Sequence, residues 1–130
     1  MIAATAARVV AVLALLVVAG CATLESRTPE EWVKARAQER WDTLVKGDFE
    51  AAYAFMSPGS QAVVTKKDYA GSLRRDFWKS AKVEKVTCPT AAACEVDLSI
   101  EYVYQGRRTT TPLRESWIKE GSNWWYVDKS

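Results

Sequence analysis

Residues 94–105 read Cys-Glu-Val-Asp-Leu-Ser-Ile-Glu-Tyr-Val-Tyr-Gln, and this stretch decides the fold because apolar side chains recur at every second position. The recurring apolar positions are Cys94, Val96, Leu98, Ile100, Tyr102 and Tyr104. An alternation with a period of two predicts a β-strand with one buried face and one face in water. Such a strand belongs to an antiparallel sheet that needs a cover on its apolar face only.

The segments on either side of this strand also have strand periodicity. Between residues 81 and 88 the apolar positions change parity, which predicts a β-bulge near Glu84 and Lys85. Residues 109–118 form a third predicted strand. Because Pro112 cannot donate to a ladder, it marks an edge or a bulge in that strand.

A fourth predicted strand at residues 124–127 follows a turn at Gly121-Ser122-Asn123. Alternation places Trp125 and Val127 on one side of this strand. We expect the core tryptophans to be Trp41, Trp117 and Trp125. One of the other three tryptophans is expected to line a pocket or a partner surface, and the candidates are Trp32, Trp78 and Trp124.

A helix precedes the strands and begins at Thr28-Pro29-Glu30-Glu31, which has the pattern of a capping box with proline in the first turn. An apolar stripe at helical spacing follows, made of Val33, Ala37, Trp41, Leu44 and Val45. Its charged residues are expected to face water, namely Arg36, Glu39, Arg40 and Lys46. Gly47 is expected to end this helix.

Shorter helices are predicted between the first helix and the sheet. Asp48 can cap one, a breaker follows at residues 57–60, and Thr65-Lys66-Lys67-Asp68 can open another. Helices followed by a run of strands predict an α+β domain. Its helices would pack on one face of an antiparallel sheet of about four strands.

The N-terminus has a different composition from the rest of the chain. Arg8 is followed by an uncharged run from Val9 to Gly20, which is shorter than the roughly 20 residues of a bilayer-spanning helix and is typical of a secretory signal. The run ends in Val18-Ala19-Gly20-Cys21, which resembles the lipobox of bacterial lipoproteins. An ordinary signal cut after Ala22 and an uncleaved anchor are the alternatives.

The lipobox resemblance implies that residues 1–20 are a cleaved signal peptide and that Cys21 is lipidated, with acyl chains such as palmitate. Residues 21–27 would then be the lipidated N-terminus and a tether, and residues 28–130 the domain. The membrane becomes a partner through Cys21. In a Gram-negative cell, the absence of aspartate after Cys21 favours the outer membrane, with the domain facing the periplasm.

The remaining cysteines are Cys88 and Cys94, which in an oxidising compartment predict a disulfide across a hairpin. Two thiolates in a chain without histidine cannot complete a common zinc site, so we expect no metal. The formal net charge of +2 gives no concentrated basic surface, so we expect no nucleic-acid partner.

The order of elements resembles the NTF2-like, cystatin-like superfamily. The resemblance rests on residues 46–53, on the break at 57–59 and on the closing hairpin at 117–127. It implies a cone in which the helices pack against a curved antiparallel sheet, with a pocket between helices and sheet. The candidate pocket residues are Trp41, Tyr53, Tyr69, Ile100, Tyr102, Tyr104, Trp117 and Trp125.

Some members of this family are isomerases or dehydratases that use an acid, a tyrosine or a histidine in the pocket. This chain lacks histidine, and its isomerase-like candidates are Tyr53, Tyr69, Tyr102, Asp76 and Asp97. We expect no catalytic residues and no cofactor. The expected function is non-catalytic binding of a small apolar ligand or an envelope partner protein. An isomerase or dehydratase and a structural subunit of an envelope complex are the alternatives.

Overall fold

The structure, a computed structural model, describes residues 27–129. The signal peptide, Cys21 and most of the predicted tether lie outside the described residues. Four helices precede four strands, in the order α1 (Pro29–Lys46), α2 (Phe49–Tyr53), α3 (Pro58–Val63), α4 (Lys66–Ser72), β1 (Trp78–Thr90), β2 (Ala93–Tyr104), β3 (Arg107–Glu120) and β4 (Asn123–Val127). The strands form one antiparallel sheet in the order β1-β2-β3-β4. The α+β prediction with four antiparallel strands is therefore confirmed.

The predicted start and end of α1 are both present. The Glu31 carboxylate accepts from the Thr28 backbone N–H at 2.9 Å, and the Thr28 hydroxyl accepts from the Glu31 N–H at 3.2 Å. Gly47 ends the helix with φ of 82°, a conformation that glycine adopts at low cost. The expected caps at Asp48 and Thr65 also form. None of the helices in residues 27–129 has the length and apolar character needed to cross a membrane.

The sheet has one long hairpin and two irregular edges. β2 and β3 pair continuously from Ala93 with Ile118 to Tyr104 with Arg107. The register of β1 shifts between Val83 and Lys85, where the sequence predicts a bulge. The short strand β4 pairs only with the last part of β3, Ser116–Glu120.

Pro112 lies in the part of β3 that β4 does not cover, opposite Ser99 of β2. Its missing N–H therefore leaves no gap between β3 and β4. The edge prediction for this proline is confirmed.

The stripe of α1 packs on the inner face of the sheet, and it includes a charged residue that the sequence reading placed in water. Arg40 is only 4% exposed, which contradicts that prediction. The buried positions of α1 are Val33, Ala37, Arg40, Trp41 and Leu44. Their spacing of four, three, one and three residues places all five on one side of the helix.

The core assignment of Trp125 is wrong, and Trp124 takes its place. Trp124 is 4% exposed, whereas Trp125 is only partly buried. The turn between β3 and β4 contains two residues, because Glu120 pairs with Asn123. A three-residue turn, Gly121-Ser122-Asn123, was expected. The difference of one residue shifts the register of β4, and such a shift moves every side chain of the strand to the other face.

Gln38 of α1 binds the backbone of the edge strand β1. Its amide nitrogen donates to the Ala81 carbonyl at 2.8 Å, and its amide oxygen accepts from the Val83 N–H at 3.0 Å. One side chain thus satisfies a donor and an acceptor of β1 and fixes the position of α1 along the sheet.

The expected pairing of Cys88 with Cys94 is present, with the sulfur atoms 2.07 Å apart. The bond joins β1 to β2 beside their connecting turn. Cys94 is buried and lies opposite Trp117 of β3.

Candidate functional site

An apolar groove of about 510 Å³ opens on the inner face of the sheet, at the end that β4 does not reach. The helix, the start of β1 and the middle strands all contribute side chains to it. They are Trp41, Phe77, Trp78, Ile100, Tyr102, Tyr104, Thr111 and Leu113. A volume of this size is in the usual range for small-molecule sites.

Aromatic rings fix the walls of the groove. Phe77 stacks on Tyr102 with ring centroids 5.1 Å apart, and Trp78 meets Trp41 edge to face at 5.4 Å. Such contacts hold rings in defined orientations. The ring contacts therefore fix Trp41, Trp78, Phe77 and Tyr102 against one another along the groove.

The mouth of the groove exposes apolar side chains to solvent. Tyr104 is 56% exposed and Leu113 is 39% exposed. Both belong to the small set of large hydrophobic residues that are exposed in residues 27–129. An apolar ligand in the groove would remove this surface from water, which is favourable by roughly 25 cal/mol per Å².

A second cavity of about 540 Å³ adjoins the groove and shares Trp41, Trp78 and Leu113 with it. Its remaining lining includes many polar groups. They come from Arg40, Asp68, Tyr69, Ser72, Glu115, Tyr126 and Asp128. The two cavities therefore differ in chemistry although they are neighbours.

A buried ion pair lies at the wall of this polar cavity. Arg40 donates to the Glu115 carboxylate at 2.7 Å, and the two side chains are 5% and 3% exposed. The indole N–H groups of Trp41 and Trp117 also donate to this carboxylate, at 3.0 Å and 3.5 Å. Glu115 therefore accepts from three donors, which offset the cost of removing its charge from water.

The guanidinium of Arg40 has further partners of a different kind. One nitrogen donates to the Tyr69 hydroxyl at 3.3 Å, and the plane lies 3.6 Å from the ring centroid of Tyr126. Its Nε atom is buried and has no acceptor among the described residues. Four elements, α1, α4, β3 and β4, are joined through this one side chain.

Burial and charge set the protonation of this cluster. Burial lowers the pKa of Arg40, but the neighbouring Glu115 carboxylate, Tyr69 and Tyr126 raise it more, so the net pKa lies above its ordinary value. Desolvation raises the pKa of Tyr126 to about 12, against the opposing effect of Arg40. At neutral pH, Arg40 is charged and Tyr126 is protonated. Neither is poised for proton transfer near pH 7.

The candidate pocket residues fall into four groups. Trp41, Ile100, Tyr102 and Tyr104 line the apolar groove, and Tyr69 lines the polar cavity. Trp117 is fully buried in the core. The other two candidates line neither cavity, and they are Tyr53 and Trp125.

Tyr53 has a structural role. Its hydroxyl contacts the carbonyl oxygens of Val64 at 2.6 Å and Gln61 at 3.2 Å, and so ties α2 to the end of α3. Trp125 donates its indole N–H to the carbonyl of Glu120, the last residue of β3. The isomerase-like candidate Asp97 lies on the outer face, where it accepts from Arg114 at 2.8 Å. Asp76 is exposed.

Three groove residues, Phe77, Thr111 and Leu113, were not predicted from the sequence, and Trp78 was named only as one of three candidates for a pocket. Leu113 and Thr111 share the parity of Trp117 on β3, so alternation places them on the inner face. Phe77 precedes β1, so strand alternation could not assign its side chain to a face of the sheet.

No reactive constellation is assembled within residues 27–129. No group of three or more histidine, cysteine or acidic side chains lies close enough together to hold a metal ion. The buried carboxylate of Glu115 is engaged by Arg40 and two indoles, and is therefore held as a structural anion. What this arrangement offers chemically is an apolar surface of fixed shape beside a polar wall.

Comparisons with known proteins give a likeness of fold. No protein-family model matches the chain, and no curated protein matches its sequence. A solution structure of a SEC-C motif containing protein from Rhodopseudomonas palustris matches with a TM-score of 0.58 and 12% identity, covering 78% of this chain and 76% of that one.

A crystal structure of a SEC-C motif containing protein from Psychrobacter arcticus matches with a TM-score of 0.62 and 14% identity. The match covers 76% of this chain and 61% of that protein, so the chain spans less than two thirds of its length. At these identities the comparison supports the arrangement of helices and strands only.

Proposed function

We propose that this chain is a lipid-anchored cell-envelope protein whose NTF2-like domain binds a small apolar ligand and catalyses no reaction. The anchor would be Cys21 and, in a Gram-negative cell, would lie on the periplasmic side of the outer membrane. The observation that carries the binding proposal is the apolar groove with its stacked aromatic walls and exposed mouth. The helices lie on the inner face of the sheet, beside the groove, which fits an NTF2-like cone.

The location of the polar groups supports binding without catalysis. Arg40 and Glu115, the buried charged pair of the described chain, bind each other. They lie at the wall of the adjoining cavity and are absent from the lining of the groove. A ligand in the groove would meet rings, aliphatic groups and the Thr111 hydroxyl, which is a surface for recognising shape and apolar area.

The binding proposal is tested with the neutral apolar dye N-phenyl-1-naphthylamine, whose emission rises in an apolar site. The wild-type protein should give saturable emission. Leu113→Arg places a cation at the mouth of the groove and should lower the affinity for the dye at least tenfold. Val63→Arg is the matched control, because Val63 is also an exposed aliphatic residue, at 85% exposure, and does not line the groove.

Equal dye binding by Leu113→Arg and Val63→Arg would contradict a ligand site in the groove. The partner-protein alternative makes a different prediction. In that case the groove would bind no dye, while Leu113→Arg would still release a protein that copurifies with the wild-type chain. Native mass spectrometry of the wild-type protein, purified from its own membranes, would identify a retained small molecule by its mass.

The anchoring proposal rests on the Val18-Ala19-Gly20-Cys21 sequence and has its own test. Cys21→Ser removes the thiol that would carry the lipid and should move the protein from the membrane fraction to the soluble fraction. Cys88→Ser together with Cys94→Ser is the control, because those thiols are bonded to each other. Unchanged membrane association of Cys21→Ser, with no mass difference beyond the substitution, would exclude lipidation.

A further inference from the structure

A surface at the start of α1 combines two tryptophans with two arginines and belongs to neither cavity. Trp32 is 40% exposed, and the guanidinium of Arg27 lies 4.9 Å from its ring centroid. One turn further along α1, Arg36 lies 5.7 Å from the ring centroid of Trp125. We call Arg27, Trp32, Arg36 and Trp125 the tryptophan-arginine face.

The contacts within this face leave amphipathic groups at the surface. Arg36 is held in place because its Nε donates to the Trp124 carbonyl at 2.9 Å. Trp125 lies on the side of β4 opposite to the core residue Trp124.

The nearby Glu31 carboxylate is engaged in the cap of α1. Arg27 is exposed, whereas Arg36 is partly buried and also lies 4.8 Å from the ring centroid of Phe55, and burial lowers its pKa against the opposing effect of Glu39. The face therefore presents one exposed and one partly buried cation beside the two rings. Indoles with adjacent arginines suit the boundary between lipid tails and phosphate groups.

The sequence places this face close to the proposed anchor. Arg27 follows Cys21 by six residues, which span at most about 20 Å when fully extended. Arg36 lies nine residues beyond Arg27, and most of that distance is helix with a rise of about 1.5 Å per residue. A domain tethered so closely has its tryptophan-arginine face within reach of the bilayer.

We infer that the tryptophan-arginine face rests on the lipid headgroup layer and orients the domain on the membrane. The inference rests on the proposed lipidation of Cys21. The rings of Trp32 and Trp125 lie at the level of the headgroups, and the guanidinium groups of Arg27 and Arg36 pair with lipid phosphates. The groove residue Trp78 packs on Trp41, nine residues further along α1 than Trp32, and so lies about two and a half helical turns from Trp32 along the helix.

The test uses the full lipidated protein in phosphatidylcholine vesicles, with and without bromine atoms on the upper acyl carbons. Bromine quenches tryptophan emission over short distances. The wild-type protein should be quenched on brominated vesicles, and Trp32→Phe and Trp125→Phe should each reduce the quenched emission. The double variant should lose most of it.

Trp78→Phe is the matched control, since Trp78 is partly buried, as Trp125 is, and packs on Trp41 outside the tryptophan-arginine face. It should leave the quenched emission unchanged. A protein that floats with vesicles but is not quenched would overturn the inference and leave the anchor intact. A protein that does not float with vesicles would overturn both the anchor and the inference. Quenching lost only in Trp78→Phe would place the groove, not the tryptophan-arginine face, on the membrane.

Discussion

The two ends of the sheet are closed in different ways. At one end, four strands pair, the Cys88–Cys94 bond joins two of them, and the inner face is filled by Trp117, Trp124 and the Arg40–Glu115 pair. At the other end only β1, β2 and β3 remain, and the side chains of the inner face line an open groove. We call these the closed end and the open end.

This difference follows from the length of one strand. β4 has five residues and pairs with Ser116–Glu120, whereas β3 has 14 residues. Pro112 lies in the uncovered part of β3 and has no N–H to offer a longer partner strand. Because β4 ends at Val127, no fourth strand runs alongside the part of β3 that precedes Ser116, and the groove lies at that end of the sheet. We therefore expect stability to depend mainly on the closed end, and the proposed ligand binding on the open end.

The largest expected effect tests the closed end. Glu115→Gln removes the charge that Arg40 faces and leaves a buried cation without its counterion. We expect the free energy of unfolding to fall by about 3 kcal/mol or more, measured by urea unfolding with tryptophan fluorescence. The matched control is Leu113→Gln, two residues away on the same face of β3 but partly exposed at the open end. A larger loss of unfolding free energy in Leu113→Gln than in Glu115→Gln would mean that the open end contributes more to stability than the closed end.

Replacing both partners sharpens this result. Arg40→Met combined with Glu115→Leu removes the charges together, so no buried ion is left alone. The double variant should be more stable than Glu115→Gln, because the desolvation cost of the remaining partner is gone. If the loss in the double variant equals the sum of the losses in Arg40→Met alone and Glu115→Leu alone, the pair contributes no mutual stabilisation.

A smaller effect is expected from the disulfide. Reduction of Cys88–Cys94 opens a ring of only a few residues and should lower the free energy of unfolding by about 2 kcal/mol. Because the bond lies at the closed end, binding of the naphthylamine dye to the reduced protein should keep its wild-type affinity under conditions where the fold persists. Loss of dye binding on reduction would mean that the two ends are not independent.

Alkaline pH should weaken the closed end selectively. Desolvation raises the pKa of Tyr126 from 10.0 to about 12, so the folded state holds this proton more tightly than the unfolded state. The resulting stabilisation is fully present below pH 10 and is lost as the pH rises towards 12, by an amount on the order of 2 kcal/mol. Tyr126→Phe should remove this part of the pH dependence. Tyr104→Phe, which changes an exposed tyrosine at the open end, should retain it.

The smallest effect on stability is expected at the open end. Leu113→Ala shortens a side chain that is already 39% exposed, so the free energy of unfolding should fall by less than about 1 kcal/mol. The same change removes part of the groove wall and should weaken dye binding several-fold. A loss of stability equal to that of Glu115→Gln would show that the groove residues belong to the structural core.

Most of the backbone could be predicted from local patterns. The alternation of residues 94–105, the capping box at Thr28, the glycine at 47 and the parity change near Glu84 each depend on neighbours in sequence. The structure has a strand, a cap, a helix end and a bulge at those places. Local periodicity and capping chemistry were sufficient for these elements.

The site depends on contacts that sequence spacing does not fix. Arg40 and Glu115 lie 75 residues apart in the sequence. Arg40 was expected to face water and Glu115 was given no position, because charged residues are rarely buried without a partner. The helical period of α1 places Arg40 on the inward face, and the alternation of β3 does the same for Glu115. Periodicity alone could therefore have predicted that the two residues face each other. The groove was not, because it arises from where β4 ends.

The bidentate contact between Gln38 and β1 affects how readily copies of the protein associate through the edge of the sheet. An exposed sheet edge presents unsatisfied N–H and carbonyl groups that can recruit a strand from another molecule. The Gln38 amide already occupies the carbonyl of Ala81 and the N–H of Val83. A second copy would have to displace this amide before it could add to the sheet there. One glutamine thereby makes self-association through that edge less favourable on a crowded surface.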